Sequence, residues 1–267
     1  MSTERLRTAF DESAAVYQTA RPAYPAELYD DLIALTKIAP PGDLLEIGAG
    51  PGTATVDLAR RGFRVTVLEL GADLAEQARL HLAPFPLASV ITTGFESWVP
   101  PADTTYGLVY AANAWQWLDP ATRWSKTAEL LDDSGCLAIF GASHAFPEGF
   151  DPFFTEMQEV YTEIGDRVAG DWPPPTPRLT TDWLVEQAEA SGCFRVVDRR
   201  LYVWALRYDA DRYIDLLDTF ANHIIMEPAK REHLYAEVRR RLAERQDGQL
   251  TRHWISQLAV FRRVQPT

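Results

Sequence analysis

Five short apolar runs in the first 142 residues restrict the folds open to this chain more than any other feature. They are LLEI (44–47), RVTVLEL (64–70), ASVITT (88–93), YGLVYAA (106–112) and CLAIFGA (136–142). Each has strand length, and glycines punctuate them: Gly62 and Gly71 bracket the second run, and Gly135 opens the fifth. Helix-period stretches over 53–61, 72–82 and about 120–132 lie between them, with Leu74, Ala78 and Leu82 recurring at i, i+4 and i+8. Nearly continuous apolar strands alternating with helices require a parallel sheet covered on both faces.

The second half changes character. A helical pattern over 150–169 precedes DWPPPTPRLT (171–180), a proline-rich break that reads as an exposed loop. Thr181 or Asp182 caps a helix that Gly192 stops, and RVVDRRLYVWAL (195–206) reads as a strand. A helix over 209–225 would place Tyr213, Leu217, Phe220 and Ile224 on one face. Another helix follows over 228–245, then a last strand, WISQLAVFRR (254–263). No internal repeat is present. The expected fold is α/β, a doubly wound, mostly parallel seven-stranded sheet with a helical lid, in a single domain over 1–267. Its expected parts are N-terminal covering helices (1–40), a core (41–145), lid insertions (146–195 and 207–249) and C-terminal strands (196–206 and 250–264).

Composition narrows the partners. The formal net charge is −12, which repels nucleic acid phosphates and anionic lipid, so a small molecule is the expected partner. The densest basic stretch, VRRRLAERQ (238–246), contains Glu244 and follows Glu237, as a solvated helix face would. No apolar run approaches the ~20 residues that span a bilayer, and MSTERLRTAFDESAA lacks the apolar segment of a secretory signal. Cys136 and Cys193 stand in apolar surroundings, a pattern that predicts neither disulfides nor a metal site and fits a cytoplasmic setting. A monomer or homodimer is expected.

The stretch LLEIGAGPGTATVDLA (44–59) carries the chemistry. A strand ends at Ile47, and Gly48, Gly50 and Gly52 occupy the turn before a helix. Glycines there permit positive φ and let a ligand reach the backbone with no Cβ in the way. Ligands of open α/β sheets bind beyond the carboxyl ends of strands, where strand order reverses. The dinucleotide fingerprint G-x-G-x-x-G needs its third glycine one residue later, where Thr53 stands. Glu46, inside the strand end, would oppose a pyrophosphate but tolerate a cationic ligand. Glu69 ends the second strand 19 residues after Gly50, where its carboxylate can accept from a ribose diol. A nucleoside with a positive, phosphate-free tail fits these residues better than a nicotinamide dinucleotide.

E-I-G-A-G-P-G-T (46–53) with Glu69 resembles the first two motifs of the class I S-adenosylmethionine-dependent methyltransferases, whose fold is Rossmann-like. FDESAAVYQTARPAYPAEL (10–28) is similar to the leader of small-molecule "type 11" enzymes resembling trans-aconitate methyltransferase. GFESWVPP (94–101), LVYAANAWQWLDP (108–120), YDADRYIDLLDTFANHI (208–224) and LAVFRR resemble later segments of that group. The resemblance implies S-adenosyl-L-methionine as cofactor and S-adenosyl-L-homocysteine as product. It also implies that Tyr17 and Arg21 bind the methionine end and that Ala49, Thr53 and Leu70 line the site. Ala111 and Asn113 would meet the methionyl moiety, and Trp115 and Trp117 would wall the reaction chamber. Many relatives carry an Asp at the end of the third strand. Here Gly94, Phe95 and Glu96 stand there, so the Phe95 amide and Glu96 are the candidates for adenine recognition.

The expected reaction is methyl transfer to a small organic metabolite at oxygen, hydroxyl or carboxylate. His144 and His223 are the candidate bases and Tyr202 lines the substrate pocket, with Tyr161 a weaker candidate. The competing expectations are a cofactor-binding regulatory protein, the same scaffold running a non-methylating reaction, and, disfavoured by Thr53, nicotinamide chemistry.

Overall fold

The computed structural model describes residues 21–166 and 172–265. Its element order is α1 (Ala26–Thr36), β1 (Asp43–Ile47), α2 (Thr53–Arg60), β2 (Arg64–Glu69), α3 (Ala72–Leu82), β3 (Ala88–Thr92) and β4 (Tyr106–Ala112). There follow α4 (Arg123–Leu130), β5 (Leu131–Ala145), α5 (Phe153–Glu163), α6 (Asp182–Ala190) and β6 (Phe194–Tyr208). The last elements are α7 (Ala210–Leu217), α8 (Ala221–Ile224), α9 (Pro228–Ala243) and β7 (Leu250–Arg263). The seven strands form one sheet in the order β3-β2-β1-β4-β5-β7-β6. Pairings β1–β2, β1–β4, β2–β3 and β4–β5 are parallel, as crossover helices demand. Strand order reverses at β1, flanked by β2 on one side and β4 on the other.

The chain divides into two compact units. One comprises Ala23–Ala142, Leu179–Tyr202 and Ser256–Thr267; the other comprises Met1–Pro22, Ser143–Arg178 and Val203–Ile255. In the first, alternation along the strands builds two apolar faces. Leu45, Ile47, Val109 and Ala111 pack with Trp115, Trp124, Leu137, Phe194 and Phe261 in one core cluster. Leu44 and Leu108 point to the opposite face, as do Glu46 and Tyr110, which are direct register partners. In the second unit, Phe153 and Phe154 of α5 meet Tyr213 of α7 edge-on at 5.8 and 6.3 Å. Asp151 anchors that unit's start, accepting from Phe153 N at 3.0 Å, Arg245 Nη1 at 2.9 Å and Thr251 N at 2.7 Å.

Three elements depart from the expectation. The last strand begins at Leu250, where the expected 250–264 segment opens and four residues before the apolar run at 254, because Leu250, Arg252 and Trp254 alternate inward while Thr251 and His253 are only half-buried. The run expected at 136–142 extends to Leu131–Ala145. The helix expected over 209–225 breaks after Leu217, where Thr219 Oγ1 donates to the Leu216 carbonyl at 2.7 Å and competes with the helical ladder. The break rotates the following turn, so His223 is buried and Ile224 is not.

Candidate functional site

The loop after β1 folds back on β2, with Gly48 N donating to the Leu68 carbonyl at 2.8 Å. Gly48 and Gly50 have φ of +66° and +58°, the left-handed region that penalises a Cβ. Their reasons differ. A Cβ on Gly48 would lie 2.7 Å from the Ala114 methyl, whereas one on Gly50 would meet nothing within 4 Å. Gly50 therefore presents bare backbone to open space at the switch point of the sheet.

Glu69 holds this loop. Its Oε2 accepts from Gly50 N at 2.7 Å and its Oε1 from Gly71 N at 2.8 Å, with the carboxylate 93% withdrawn from solvent (7% exposed). Leu70 beside it is 54% exposed, an apolar surface next to a polar grip. His81 on α3 braces the loop from below, its Nδ1 2.8 Å from the Pro51 carbonyl.

Glu46 is placed differently from the sequence expectation of a ligand-facing acid. It is fully buried, and its Oε2 accepts from Thr55 Oγ1 on α2 and from Tyr110 OH at 2.7 Å. It thus ties the first turn of α2 to β1 and β4. Its Oε1 has no partner, and desolvation raises its pKa from 4.5 to about 7 despite the two hydroxyl donors.

Asn113 lies just past β4 with φ +59°. Its Nδ2 donates to Tyr24 OH at 3.0 Å and its Oδ1 accepts from Ala142 N at 3.0 Å, which fixes the amide's orientation. Space for it exists only because residue 141 is glycine: a Cβ there would stand 2.3 Å from Asn113 Oδ1. Gly141→Ala is expected to break that network and destabilise the protein by about 1–3 kcal/mol, measured by urea unfolding. An unchanged midpoint would mean that Asn113 is free to turn away.

The remaining expected residues are sorted by burial. Trp115 is 1% exposed and stacks edge-on against Trp124 at 4.7 Å, so it is core rather than chamber wall, and Ala111 is likewise inside the cluster. Trp117 is 38% exposed. Thr53 opens α2 after the left-handed Gly52, and Ala49 N donates to the Leu68 carbonyl at 3.4 Å. The Phe95 ring is buried with the Lys126 ammonium 5.2 Å from its centroid. Exposed Glu96 accepts from Asp119 N at 3.0 Å, a turn-bracing bond. Tyr202 OH donates to Asp31 at 2.7 Å. Tyr17 lies outside the described residues.

The second unit gathers Arg21, His144, Tyr161 and His223. Arg21 donates to Thr219 Oγ1 at 2.8 Å and to the Thr219 carbonyl at 3.0 Å, and its guanidinium lies 4.2 Å above the Phe220 ring. His144 packs against Phe220 and Trp254 with centroids 4.9 and 5.6 Å away. The residue is exposed on one flank, and desolvation with the positive charges of Arg252 and Arg21 holds its pKa well below 6.5. His223 Nε2 is 3.3 Å from Tyr161 OH, and burial brings its pKa to about 4. Both imidazoles resist protonation, which suits them to accepting a hydrogen bond better than to storing a proton. Burial pushes the Tyr161 hydroxyl up as well.

Sequence reasoning missed Thr55, Tyr110, Tyr24, Gly141 and His81, whose roles depend on strand register and cross-chain contacts. It also missed Arg252, although the inward phase of L-x-R-x-W (250–254) marks it. Among the described residues no helix is long and apolar enough to cross a membrane.

Residues 44–135 match a family model described as "Methyltransferase domain". Over 196 residues the chain is 30% identical to a trans-aconitate 2-methyltransferase of Methylobacterium nodulans, covering 66% of this chain and 67% of that protein. It is 27% identical over 195 residues to an uncharacterized methyltransferase of Mycobacterium tuberculosis, covering 70% and 76%. A SAM-dependent methyltransferase from Thiobacillus denitrificans, solved in complex with S-adenosyl-L-homocysteine, shares the fold. Its TM-score is 0.53, with 15% identity over 96% of this chain and 98% of that one.

Proposed function

The chain belongs to the class I S-adenosylmethionine-dependent methyltransferases of the trans-aconitate methyltransferase-like group, and from that membership we propose that it methylates an oxygen, hydroxyl or carboxylate, of a small organic metabolite. The observation that carries the cofactor assignment is Gly50. Its left-handed backbone faces open space at the switch point, and its amide is held by the acid that would grip the ribose. The cradle suits a nucleoside: bare backbone beside Glu69, with exposed Leu70 as an apolar neighbour. Bound S-adenosyl-L-methionine supplies a methyl group already activated on a sulfonium.

What the chain itself contributes is binding and orientation. Gly48, Ala49, Gly50, Gly52 and Thr53 shape the loop, Glu69 accepts the sugar hydroxyls, Leu70 lies beside the adenine and the Phe95 backbone amide faces it. Asn113, fixed by Tyr24 and Ala142 just past β4, holds the backbone there in its left-handed conformation. Alignment of an acceptor lone pair with a bound donor lowers a barrier by about 7–11 kcal/mol in favourable cases. In this reading residues 146–195 and 207–249 select the acceptor, the protein works in the cytoplasm as a monomer or homodimer, and it binds neither nucleic acid nor membrane.

Titration calorimetry with S-adenosyl-L-homocysteine and NAD tests the reading: the first is expected to bind and the second not. Glu69→Ala is expected to weaken S-adenosyl-L-homocysteine binding by about 1.5–3 kcal/mol, roughly 10- to 150-fold, the scale of charge-assisted hydrogen bonds. Part of that loss comes from releasing Gly50 N and Gly71 N. Wild-type affinity in this variant would remove the ribose assignment.

A further inference from the structure

Arg252 is the most deeply buried cation among the described residues, 1% exposed, and it is poorly compensated. Its Nη1 donates to Tyr213 OH at 3.2 Å, while Nε and Nη2 have no hydrogen-bond partner. No carboxylate among the described residues forms an ion pair with it; the groups that couple to its charge are Tyr213, Tyr208 and Tyr161. Four rings surround the guanidinium carbon: Trp254 at 4.9 Å, Tyr213 and Phe220 at 5.5 Å, and Phe154 at 5.8 Å. Ring faces offset part of the desolvation but accept none of the N–H bonds.

Two features turn this from a packing curiosity into a site. Nε and Nη2 are the side-on pair of the guanidinium, two parallel donors whose spacing matches the two oxygens of a carboxylate. His144, exposed on one flank, shares the Phe220 and Trp254 walls with Arg252. The exposed flank at His144 therefore adjoins the Arg252 guanidinium, which is lined by aromatic side chains and coupled to no acid among the described residues.

We propose that the Nε–Nη2 fork of Arg252 anchors the acceptor's carboxylate, and that the acceptor is a monocarboxylate with a ring-sized apolar body packed among His144, Phe154, Phe220 and Trp254. The proposal rests on the methyltransferase reading and deepens it by naming the acceptor class. One fully buried guanidinium among rings matches one negative charge and an unsaturated or aromatic body. A tricarboxylate would leave two further charges against ring faces. In this reading the carboxylate serves as the anchor and a separate hydroxyl takes the methyl group.

The test is a binding measurement that needs no turnover. Benzoate, phenylacetate and trans-cinnamate, their primary amides, and tricarballylate are titrated against the full-length protein by tryptophan fluorescence, with and without S-adenosyl-L-homocysteine. At least one ring acid is expected to bind tenfold or more tighter than its amide and than tricarballylate. Arg252→Met should erase that preference while its thermal midpoint stays at or above wild type, since an uncompensated buried cation is replaced by an apolar chain of similar length. Arg252→Lys should keep a weakened preference. Equal binding of acid and amide by the wild type, stronger binding of tricarballylate, absence of any ring-acid binding, or a preference surviving in Arg252→Met overturns the proposal. The wild-type comparison decides even if the variant fails to fold. Failure of S-adenosyl-L-homocysteine to bind would instead count against the function, independently of the acid preference.

Discussion

Gly50→Val is expected to abolish S-adenosyl-L-homocysteine binding, by at least ~100-fold or about 2.7 kcal/mol, while the protein remains folded. The two halves of that result have separate causes. Its Cβ would project into the open space at the loop, meeting no protein atom within 4 Å, so the core is not disturbed there. It would occupy the volume through which a ligand approaches the backbone. The left-handed φ of +58° adds a folding cost of about 1–2 kcal/mol for a residue with a Cβ. Calorimetry for binding and circular dichroism for folding separate the effects. Native affinity in a folded Gly50→Val protein would place the cofactor elsewhere.

Glu46→Gln is expected to change the pH dependence of stability by about 2.5 kcal/mol between pH 5 and pH 8. The folded-state pKa of Glu46 is raised to about 7 by burial, against 4.5 for the free side chain. Between those values the folded state binds more protons than the unfolded state, so wild-type stability falls as pH rises through the window and levels off above about pH 7. Glutamine carries no charge at either pH and removes this term. Urea unfolding should therefore show the variant gaining on wild type from pH 5 to pH 8. A constant difference would mean that Glu46 ionises normally. Its affinity for S-adenosyl-L-homocysteine should stay within about threefold of wild type, because Glu46 spends its hydrogen bonds on Thr55 and Tyr110 rather than on a ligand.

The sheet half of the molecule was legible because its signals are local. Apolar runs of strand length, glycines at the turns and a carboxylate at the end of β2 each announce themselves within a few residues. The loop at Gly48–Gly52 and the place of Glu69 at the end of β2 followed from spacing, but the bond from Gly50 N to Glu69 Oε2 did not. What stayed hidden depends on register. That Glu46 and Tyr110 are partners needs the β1–β4 alignment, and that Gly141 makes room for Asn113 needs β4 beside β5. Trp115 and Trp117 differ by two residues and are equally aromatic, yet a three-residue 3-10 turn buries one and leaves the other half in water. In the second half, the break after Leu217 was invisible to periodicity, since Thr219 acts through one side-chain bond to Leu216. Arg252 was overlooked because a charged residue argues against a buried strand position until the alternation on both sides of it is followed.

The sheet order has a consequence for how the molecule is made. β7, last of the seven along the chain, lies between β5 and β6, which both precede it. While the ribosome is still synthesising the residues before Leu250, β5 and β6 each present an open edge where their common neighbour belongs. The half built from β1 to β4 needs no such latecomer, so a nascent chain can complete its glycine loop well before it closes the other side. Closure by β7 needs long-range pairing, the kind of step that is generally slow and leaves strand edges exposed, so shielding by a chaperone would matter most in that interval.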